Sequence, residues 1–159
     1  MVQDDKRYGL RLDRLEPLYR DILLDHYRHP RNEGDIKDPD LSAHGLNPFC
    51  GDEVYLQARV SDGNIAQVGL QARGCTISQA SGSMMGDAIK GRSLEEALLL
   101  YRLLKGLMEG ESLGPHDKEK LGDLTALGDV RRYPLRIKCA LLPWATLEEG
   151  LQEYRKKRG

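Results

Sequence analysis

The sequence predicts an α+β fold, a small three-stranded antiparallel sheet packed against and covered by about five helices. Over 54–60, apolar and polar residues alternate, which is the period of a half-buried strand. Over 15–28 and 93–104, apolar residues recur every three or four positions, which is typical of helices that bury one face. The 159 residues are enough to close a single core, so we expect one domain over 1–159.

The predicted strands follow one another in the first half of the chain. An Asp-Gly-Asn turn at 62–64 links the strand over 54–60 to a return strand over 65–70. A shorter strand around 41–46 would pair at the edge, and the polar stretch 31–40 connects it to the first helix. These assignments give three antiparallel strands in a row.

Two helices are predicted around these strands. The first covers about 15–28, and residues 1–14 before it are expected to be loose. The second follows the return strand at 78–89, where small residues allow the helix to approach its neighbours closely.

Three more helices are predicted in the second half of the chain. Ser93 should begin the first of them, because Ser-Leu-Glu-Glu fits a capping box. A further helix is predicted over 116–127, and the last over about 140–154. Pro143 falls inside that last pattern, so we expect it either to start the regular helix or to kink it.

The charge balance excludes several classes of function. Lys and Arg number 24 against 25 Asp and Glu, which argues against a nucleic-acid surface that depends on bulk positive charge. No apolar run is long enough to span a bilayer, and the charged segment 1–14 does not look like a signal peptide. We therefore expect a cytoplasmic protein without nucleic-acid or membrane partners.

Three cysteines, Cys50, Cys75 and Cys139, are candidates for a shared site. Their odd number and wide spacing do not suit a disulfide framework, and no CxxC pair is present. Any one of them could be a small buried hydrophobe. However, each is predicted at a junction between elements rather than within one: Cys50 before a strand, Cys75 between strand and helix, and Cys139 after a break at Pro134.

Cations and a carboxylate accompany these cysteines. Arg73, Arg136 and Lys138 lie within three residues of Cys75 or Cys139, and nearby cations favour the thiolate. Asp52, two residues after Cys50, completes a possible set of four ligands. Three sulfurs and one oxygen suit tetrahedral Zn²⁺ and could also hold an iron–sulfur cluster. The excess negative charge of such a site needs local cations, which the three basic residues could supply. A structural zinc site is a fair alternative at this point.

Four motifs carry a family resemblance. The segments LYRDILLDHYRHPRNEG, NPFCGDEV, RGCTISQASGSMM and RIKCALLPW closely resemble the U-type iron–sulfur cluster assembly proteins, the family of IscU, SufU and the N-terminal part of NifU. The resemblance runs over nearly the whole chain from about residue 15. In that family the cysteine and aspartate of the first cysteine motif and the cysteines of the other two ligate the metal or cluster. The resemblance therefore implies the ligands Cys50, Asp52, Cys75 and Cys139.

Within the family the chain is most similar to the SufU subtype. IscU-type members have a histidine directly before the third cysteine, whereas this chain has Lys138, which when protonated has no lone pair for a metal. The stretch 91–134 is longer than in IscU, and an LPPVK-like segment after the third cysteine is absent. The resemblance implies a zinc-bound acceptor of persulfide sulfur from a cysteine desulfurase, working with apo iron–sulfur proteins or other assembly factors. At most, the chain would be a sulfurtransferase acting with that enzyme.

Cys50 is the predicted sulfur acceptor. A metal-bound thiolate is a weak nucleophile, so one sulfur has to leave the metal, and Cys50 lies on a loop that Gly51 allows to bend. Two alternatives remain open from the sequence. One is a scaffold on which a [2Fe–2S] cluster is assembled and handed to apo-proteins, and the other is a non-catalytic zinc-stabilised binding module.

Other tempting residues are expected to be structural. None of the four histidines lies in a ligand motif of the family. Ser78, Ser81 and Ser83 have no paired base in the sequence pattern, so a serine nucleophile has no support.

Overall fold

The computed structural model describes residues 15–158 together with the backbone of Asp4–Asp5 and Leu10–Arg11. Those two short segments, β1 (Asp4–Asp5) and β2 (Leu10–Arg11), pair antiparallel. The rest of 1–14 lies outside the described residues, so the expectation that this segment is loose stays a prediction.

A three-stranded antiparallel sheet forms the centre of the fold, as predicted. Its strands are β3 (Leu41–Asn47), β4 (Asp52–Ser61) and β5 (Asn64–Arg73), in the order β3-β4-β5. The register places Asn47 opposite Asp52 at the end of the β3–β4 hairpin. The four residues between these two strands therefore form a loop at one end of the sheet.

Helices cover one face of this sheet, which confirms the α+β class. Their bounds are α1 (Pro17–Arg28), α2 (Thr76–Ile89), α3 (Leu94–Met108), α4 (Pro115–Leu121), α5 (Thr125–Gly128) and α6 (Pro134–Arg158), with short 3₁₀ turns at Gly122–Leu124 and Asp129–Arg132. The capping box that the sequence predicts at the start of α3 is present, since Ser93 and Glu96 each accept from the other's backbone N–H.

The core lies between the inner face of the sheet and helices α2 and α6. Every second residue of β4 points into it, and Val54, Leu56 and Ala58 are at most 1% exposed. Helix α6 crosses β3 closely, because a Cβ at Gly45 would overlap Oγ1 of Thr146. The glycine thus allows α6, which carries Cys139, to lie directly against the strand that leads to Cys50.

Two helix predictions are wrong in their detail. The predicted helix over 116–127 is interrupted at Gly122, whose φ of +54° belongs to the left-handed region that ends helices. The last helix begins at Pro134, nine residues before Pro143, so Pro143 lies inside the helix and does not start it. A proline suits the first position of a helix, where its missing N–H has no intrahelical partner to lose.

The start of α6 also corrects the prediction for Cys139. Cys139 follows the break at Pro134, as expected, but it lies in the second turn of the helix rather than at a junction. Cys50 and Cys75 do lie between elements.

Among the residues that the structure describes, no helix combines the length and the apolar character that a membrane span requires.

Candidate metal and sulfur site

The β3–β4 loop holds Cys50 at the end of the sheet. The N–H of Gly51 donates to the carbonyl of Asn47 (2.8 Å), and the N–H of Phe49 donates to the Asn47 side-chain oxygen (3.1 Å). Gly51 has a φ of +74°, which a residue with a side chain rarely adopts. Together these features close a tight turn with Cys50 at its tip, half-buried.

Asp52 lies directly after this loop and is completely buried. Its Oδ1 accepts the backbone N–H of Cys75 (2.9 Å), and its Oδ2 lies 3.7 Å from the Cys75 sulfur. Since Cys75 is the N-cap of α2, the carboxylate lies where the helix presents partial positive charge. Gly74 makes this contact possible, because with its φ of +127° a Cβ there would overlap Asp52.

Cys75 is fully buried at the start of α2. The pKa of its thiol is lowered, chiefly because the Cys139 thiol hydrogen-bonds to it and also because Ser78 does, while burial and the Asp52 carboxylate act in the opposite direction. The Ser78 hydroxyl oxygen lies 3.8 Å from the sulfur and donates to the Cys75 carbonyl (3.0 Å). Because the pKa of the Cys139 thiol is raised instead, Cys75 carries a negative charge more readily than Cys139 does.

Cys139 brings the third sulfur from α6. Its Sγ lies 3.4 Å from Sγ of Cys50. The pKa of the Cys139 thiol is raised, chiefly by its hydrogen bond to Cys75 and then by burial. The guanidinium of Arg136 lies 3.5 Å from the Cys50 sulfur and 4.0 Å from the Cys139 sulfur, so a positive charge adjoins both.

A buried polar contact fixes α6 relative to α2. The hydroxyl of Ser81 donates to the carbonyl of Ala140 (2.5 Å) and accepts from the indole N–H of Trp144 (3.2 Å). All three residues are fully buried, so this contact is protected from water. It positions the turn of α6 that carries Cys139.

Three of the four predicted ligands lie close enough to share one ion. The donor atoms of Cys50, Asp52 and Cys139 all lie within 4.8 Å of one another. Sulfurs bound to one tetrahedral Zn²⁺ are separated by about 3.8 Å, given Zn–S bonds of about 2.3 Å. Cys75 is outside this set but touches it through Asp52. The three donor atoms therefore have the chemistry and the spacing that one zinc ion accepts.

The predicted supporting cations are placed differently from one another. Arg136 reaches the sulfurs, whereas Lys138 is exposed on α6. Arg73 lies opposite Glu53 in the β4–β5 register and lines a shallow groove with Tyr55 on the outer face of the sheet. Successive residues of a strand point to opposite faces, so Glu53 points away from the face that carries Asp52. Arg73, opposite Glu53, is therefore on the side of the sheet away from the sulfurs.

Sequence reasoning missed some residues of the site and misjudged one serine. Asn47 precedes Pro48, which indicates a turn, but nothing in the sequence pattern indicates that its amide would be buried. Ser83 does have a base beside it, since its hydroxyl lies 2.8 Å from Nδ1 of His26. However, Ser83 also accepts the backbone N–H of Arg31 (2.9 Å) between α1 and α2, so this pair joins two helices and is not a nucleophile.

The comparison with protein families agrees with this geometry. Residues 18–159 match the model of the NifU-like N-terminal domain. The chain belongs to this family. In this NifU-like chain, the first cysteine motif, the start of α2 and the last helix meet at one end of the three-stranded sheet.

Curated relatives of this NifU-like domain have two kinds of name. The zinc-dependent sulfurtransferase SufU of Bacillus subtilis is 39% identical over 137 residues, which cover 86% of this chain and 91% of that protein. The iron–sulfur cluster assembly scaffold protein IscU of Thermotoga maritima is 35% identical over 136 residues, which cover 86% of this chain and 94% of that protein. The similarity thus extends over most of both chains in each case.

A solved structure confirms the NifU-like fold. The crystal structure of a putative iron–sulfur cluster assembly scaffold protein for the SUF system from Fervidobacterium islandicum superposes with a TM-score of 0.77 at 35% identity. The superposition covers 82% of this chain and 93% of that one.

Proposed function

We propose that this chain is a sulfur-accepting iron–sulfur cluster assembly protein. It takes persulfide sulfur from a cysteine desulfurase onto Cys50 and passes it to other assembly factors or apo iron–sulfur proteins. The observation that carries the proposal is the approach of the Cys50, Asp52 and Cys139 donor atoms to within 4.8 Å, with Cys50 the least buried of the three cysteines. Membership of the NifU-like family and the likeness to a protein named as a zinc-dependent sulfurtransferase support it.

The same donor set supports a resident Zn²⁺ held by Cys50, Asp52 and Cys139, with Cys75 as the fourth ligand that the family resemblance implies. When bound, the ion supplies the positive charge that keeps the thiols deprotonated at neutral pH. The chain adds the Arg136 guanidinium beside two of the sulfurs, which offsets part of the excess negative charge. Three free thiols at such a site need a reducing compartment, and we propose the cytoplasm.

The transfer itself is an exchange at sulfur without net oxidation. The Cys50 thiolate attacks the terminal sulfur of a protonated persulfide on the donor enzyme, and a new S–S bond forms. The S–S bond to the donor cysteine breaks, and its electron pair leaves with the donor thiolate. The terminal sulfur, now on Cys50, then releases its proton to solvent and remains as a persulfide anion.

Cys50 is better placed for this attack than the other two cysteines. Cys75 and Cys139 have no exposed surface, whereas Cys50 is half-buried at the tip of a turn. The positive φ at Gly51 marks the point where this turn can bend. The sulfur of Cys50 can therefore meet a donor persulfide without opening the core.

Exposed apolar side chains around the site support docking of a protein donor. Phe49 is 76% exposed next to Cys50, and Leu135 is 70% exposed next to Arg136. Large exposed apolar side chains that cluster at a reactive centre are typical of protein–protein contacts. A sulfur-donating protein that covers Phe49 and Leu135 would bring its persulfide to Cys50 and keep water away from the transfer.

The proposal is tested by mapping where sulfur arrives. The zinc-loaded protein is mixed with a purified cysteine desulfurase and L-cysteine, and peptides are analysed by mass spectrometry under non-reducing conditions after alkylation. We expect one added sulfur on Cys50 in the wild type and none in Cys50→Ser. Ser61→Ala, which changes an exposed residue of β4 far from the site, serves as the control and should match the wild type. Sulfur arriving equally well in Cys50→Ser would overturn the assignment.

A second candidate function is a scaffold for a [2Fe–2S] cluster. The relatives named as IscU scaffolds favour it, as do the three sulfurs at one site, since cluster irons are held mainly by cysteine thiolates. Anaerobic incubation with iron and sulfide should then give visible absorbance and a cluster that can be transferred to an apo-ferredoxin. A protein that accepts sulfur on Cys50 but forms no transferable cluster would support the first function over this one.

A further inference from the structure

The side chain of Asn47 has a buried amide nitrogen without a hydrogen-bond partner among the described residues. The residue is 8% exposed, and its amide oxygen is engaged by the N–H of Phe49. That backbone N–H needs an acceptor, so the oxygen, and not the nitrogen, faces the loop. Two N–H donors of Asn47 therefore point away from Phe49 into protein and remain unused. Buried donors of this kind are rare in native proteins and call for an explanation.

The strand register places Asn47 at the sulfur site. Asn47 lies directly opposite Asp52, and residues that face each other across two strands have their side chains on the same side of the sheet. The completely buried Asp52 carboxylate is on the side that carries the sulfurs. The Asn47 amide is consequently on that side as well.

Packing of α6 on β3 places the same amide near the turn that carries Cys139. A Cβ at Gly150 would lie against Ala43, and one at Gly45 would meet Thr146, so α6 runs antiparallel to β3. Two residues along a strand match about four residues along a helix in length. Following β3 from Gly45 to Asn47 therefore leads back along α6 by about one turn, from Thr146 to Leu142, which is one turn away from Cys139.

We propose that the Asn47 amide donates a hydrogen bond to the terminal sulfur that Cys50 carries after transfer, which makes Asn47 a binding residue for the transferred sulfur. The inference rests on the proposed function. A persulfide places its terminal sulfur about 2 Å beyond Sγ, and this sulfur is anionic. The amide nitrogen makes no hydrogen bond to the unmodified Cys50 sulfur. The donor thus becomes satisfied only in the loaded state.

Such a donor would act in two ways. Hydrogen bonds to charged acceptors are stronger than those between neutral groups, so the loaded state is stabilised relative to the unloaded one. The amide is also held rigidly by the bond between its oxygen and Phe49, so little side-chain freedom is lost when the sulfur arrives. We expect removal of the donor to slow loading of Cys50 and to shorten the lifetime of the persulfide, each by about tenfold.

Two variants separate the donor from other roles of Asn47. Asn47→Asp keeps an oxygen for the Phe49 N–H and deletes the donor, but adds a negative charge. Asn47→Ala deletes both donor and acceptor without adding charge. Each zinc-loaded variant is mixed with a purified cysteine desulfurase and L-cysteine, and the fraction of Cys50 with an added sulfur is followed by mass spectrometry. The desulfurase is then removed, and the persulfide that remains is followed over time. Zinc content and thermal unfolding show whether each variant is folded.

The outcomes distinguish the inference from its alternatives. We expect both variants to load about tenfold more slowly than the wild type and to lose persulfide about tenfold faster. Wild-type behaviour of Asn47→Asp would mean that the residue only anchors the loop, and it would overturn the inference. Wild-type behaviour of Asn47→Ala would mean that Asn47→Asp acts only through its added negative charge, and this result would also overturn the inference. Absence of sulfur on Cys50 in the wild type would instead refute the proposed function itself.

Discussion

At the scale of single residues, Arg136 joins two sulfurs that come from distant parts of the chain. Its guanidinium contacts Cys50 of the hairpin loop and Cys139 of its own helix. A guanidinium is always charged and donates in several directions, so it can stabilise negative charge on both sulfurs at once. Lys138, two residues later, is exposed and provides a natural comparison.

Replacing Arg136 should lower the reactivity of Cys50. In the metal-free reduced protein at neutral pH, Arg136→Gln is expected to slow alkylation of Cys50 by iodoacetamide about threefold to tenfold, because the sulfur loses the guanidinium that lies 3.5 Å from it. Lys138→Gln should change the rate by less than about twofold, because solvent screens an exposed charge. The rates are measured by mass spectrometry of the Cys50 peptide. Equal effects of the two substitutions would show that only the overall charge matters.

Gly74 is a residue whose small size holds Asp52 in place. At a φ of +127° an alanine is strained, and its Cβ would also overlap the Asp52 carboxylate. Gly91→Ala is a matched control, since Gly91 has a φ of +85° but open space around it. We expect Gly74→Ala to lower the free energy of unfolding by about 2 kcal/mol more than Gly91→Ala does, as judged by urea unfolding. It should also reduce the zinc retained after dialysis, whereas equal losses in both variants would argue against the contact with Asp52.

These residues show what could be inferred about the site before the structure. Motifs indicated Cys50, Asp52, Cys75 and Cys139 as a group, and chain proximity suggested their cations. Arg136 and Arg73 are both within three residues of a cysteine, but only Arg136 reaches the sulfurs. Arg73 does not, because the alternation of side chains along its strand places it on the other side of the sheet. Nor could sequence distance identify Asn47, since the burial of its amide depends on contacts that exist only in the folded chain.

At the scale of elements, a buried hydrogen bond joins α1 to α2. Ser83 accepts the Arg31 N–H, so its own hydroxyl proton is available to Nδ1 of His26 in the neutral ring. The pKa of His26 is lowered, chiefly by burial and further by the charge of Arg31, although the carboxylates of Asp25, Asp87 and Asp123 act in the opposite direction. Protonation would turn the accepting nitrogen into a donor and weaken this contact.

The α1–α2 contact should therefore make stability depend on pH. Because the folded-state pKa of His26 is below its unfolded value of about 6.5, its neutral ring stabilises the fold above that pH. This contribution is lost as the pH falls below about 6.5, with a slope that stays under the single-proton limit of about 1.4 kcal/mol per pH unit. Urea unfolding at pH 7.5 and 5.5 measures the change. His26→Gln should reduce the difference between the two pH values, whereas His116→Gln, which alters an exposed residue of α4, should leave it as it is.

Elements were predictable where a local signal defines them. The hairpin turn at 62–64 and the capping box at Ser93 are short-range features, and both are present as predicted. The interruption at Gly122 and the continuation of α6 through Pro143 were not predictable, because they depend on tertiary packing that compensates for local costs.

At the scale of the whole molecule, the site joins three segments that are far apart in sequence. The hairpin loop at 48–51, the start of α2 and the second turn of α6 meet there, and the core of the domain lies to one side of them. Buried residues of α3, such as Leu100 and Leu104, belong to that core and are not among the residues that contact the sulfurs. An ion held at the site should accordingly stabilise this end of the molecule, whereas the remainder of the fold should form without it.

Removal of zinc tests this arrangement. At a zinc concentration about 100-fold above its dissociation constant, binding contributes about 2.7 kcal/mol, which corresponds to roughly 5–10 °C in unfolding temperature for a chain of this size. We expect a chelator to lower the unfolding temperature by about that amount while circular dichroism at 25 °C stays native. Amide hydrogen exchange should increase around 47–52, 74–79 and 135–141 but not in α3. Complete unfolding by the chelator would indicate a zinc-stabilised binding module. An unchanged unfolding temperature would mean that these four side chains hold no metal, and sulfur transfer would then have to proceed on thiols that only Arg136 and the start of α2 activate.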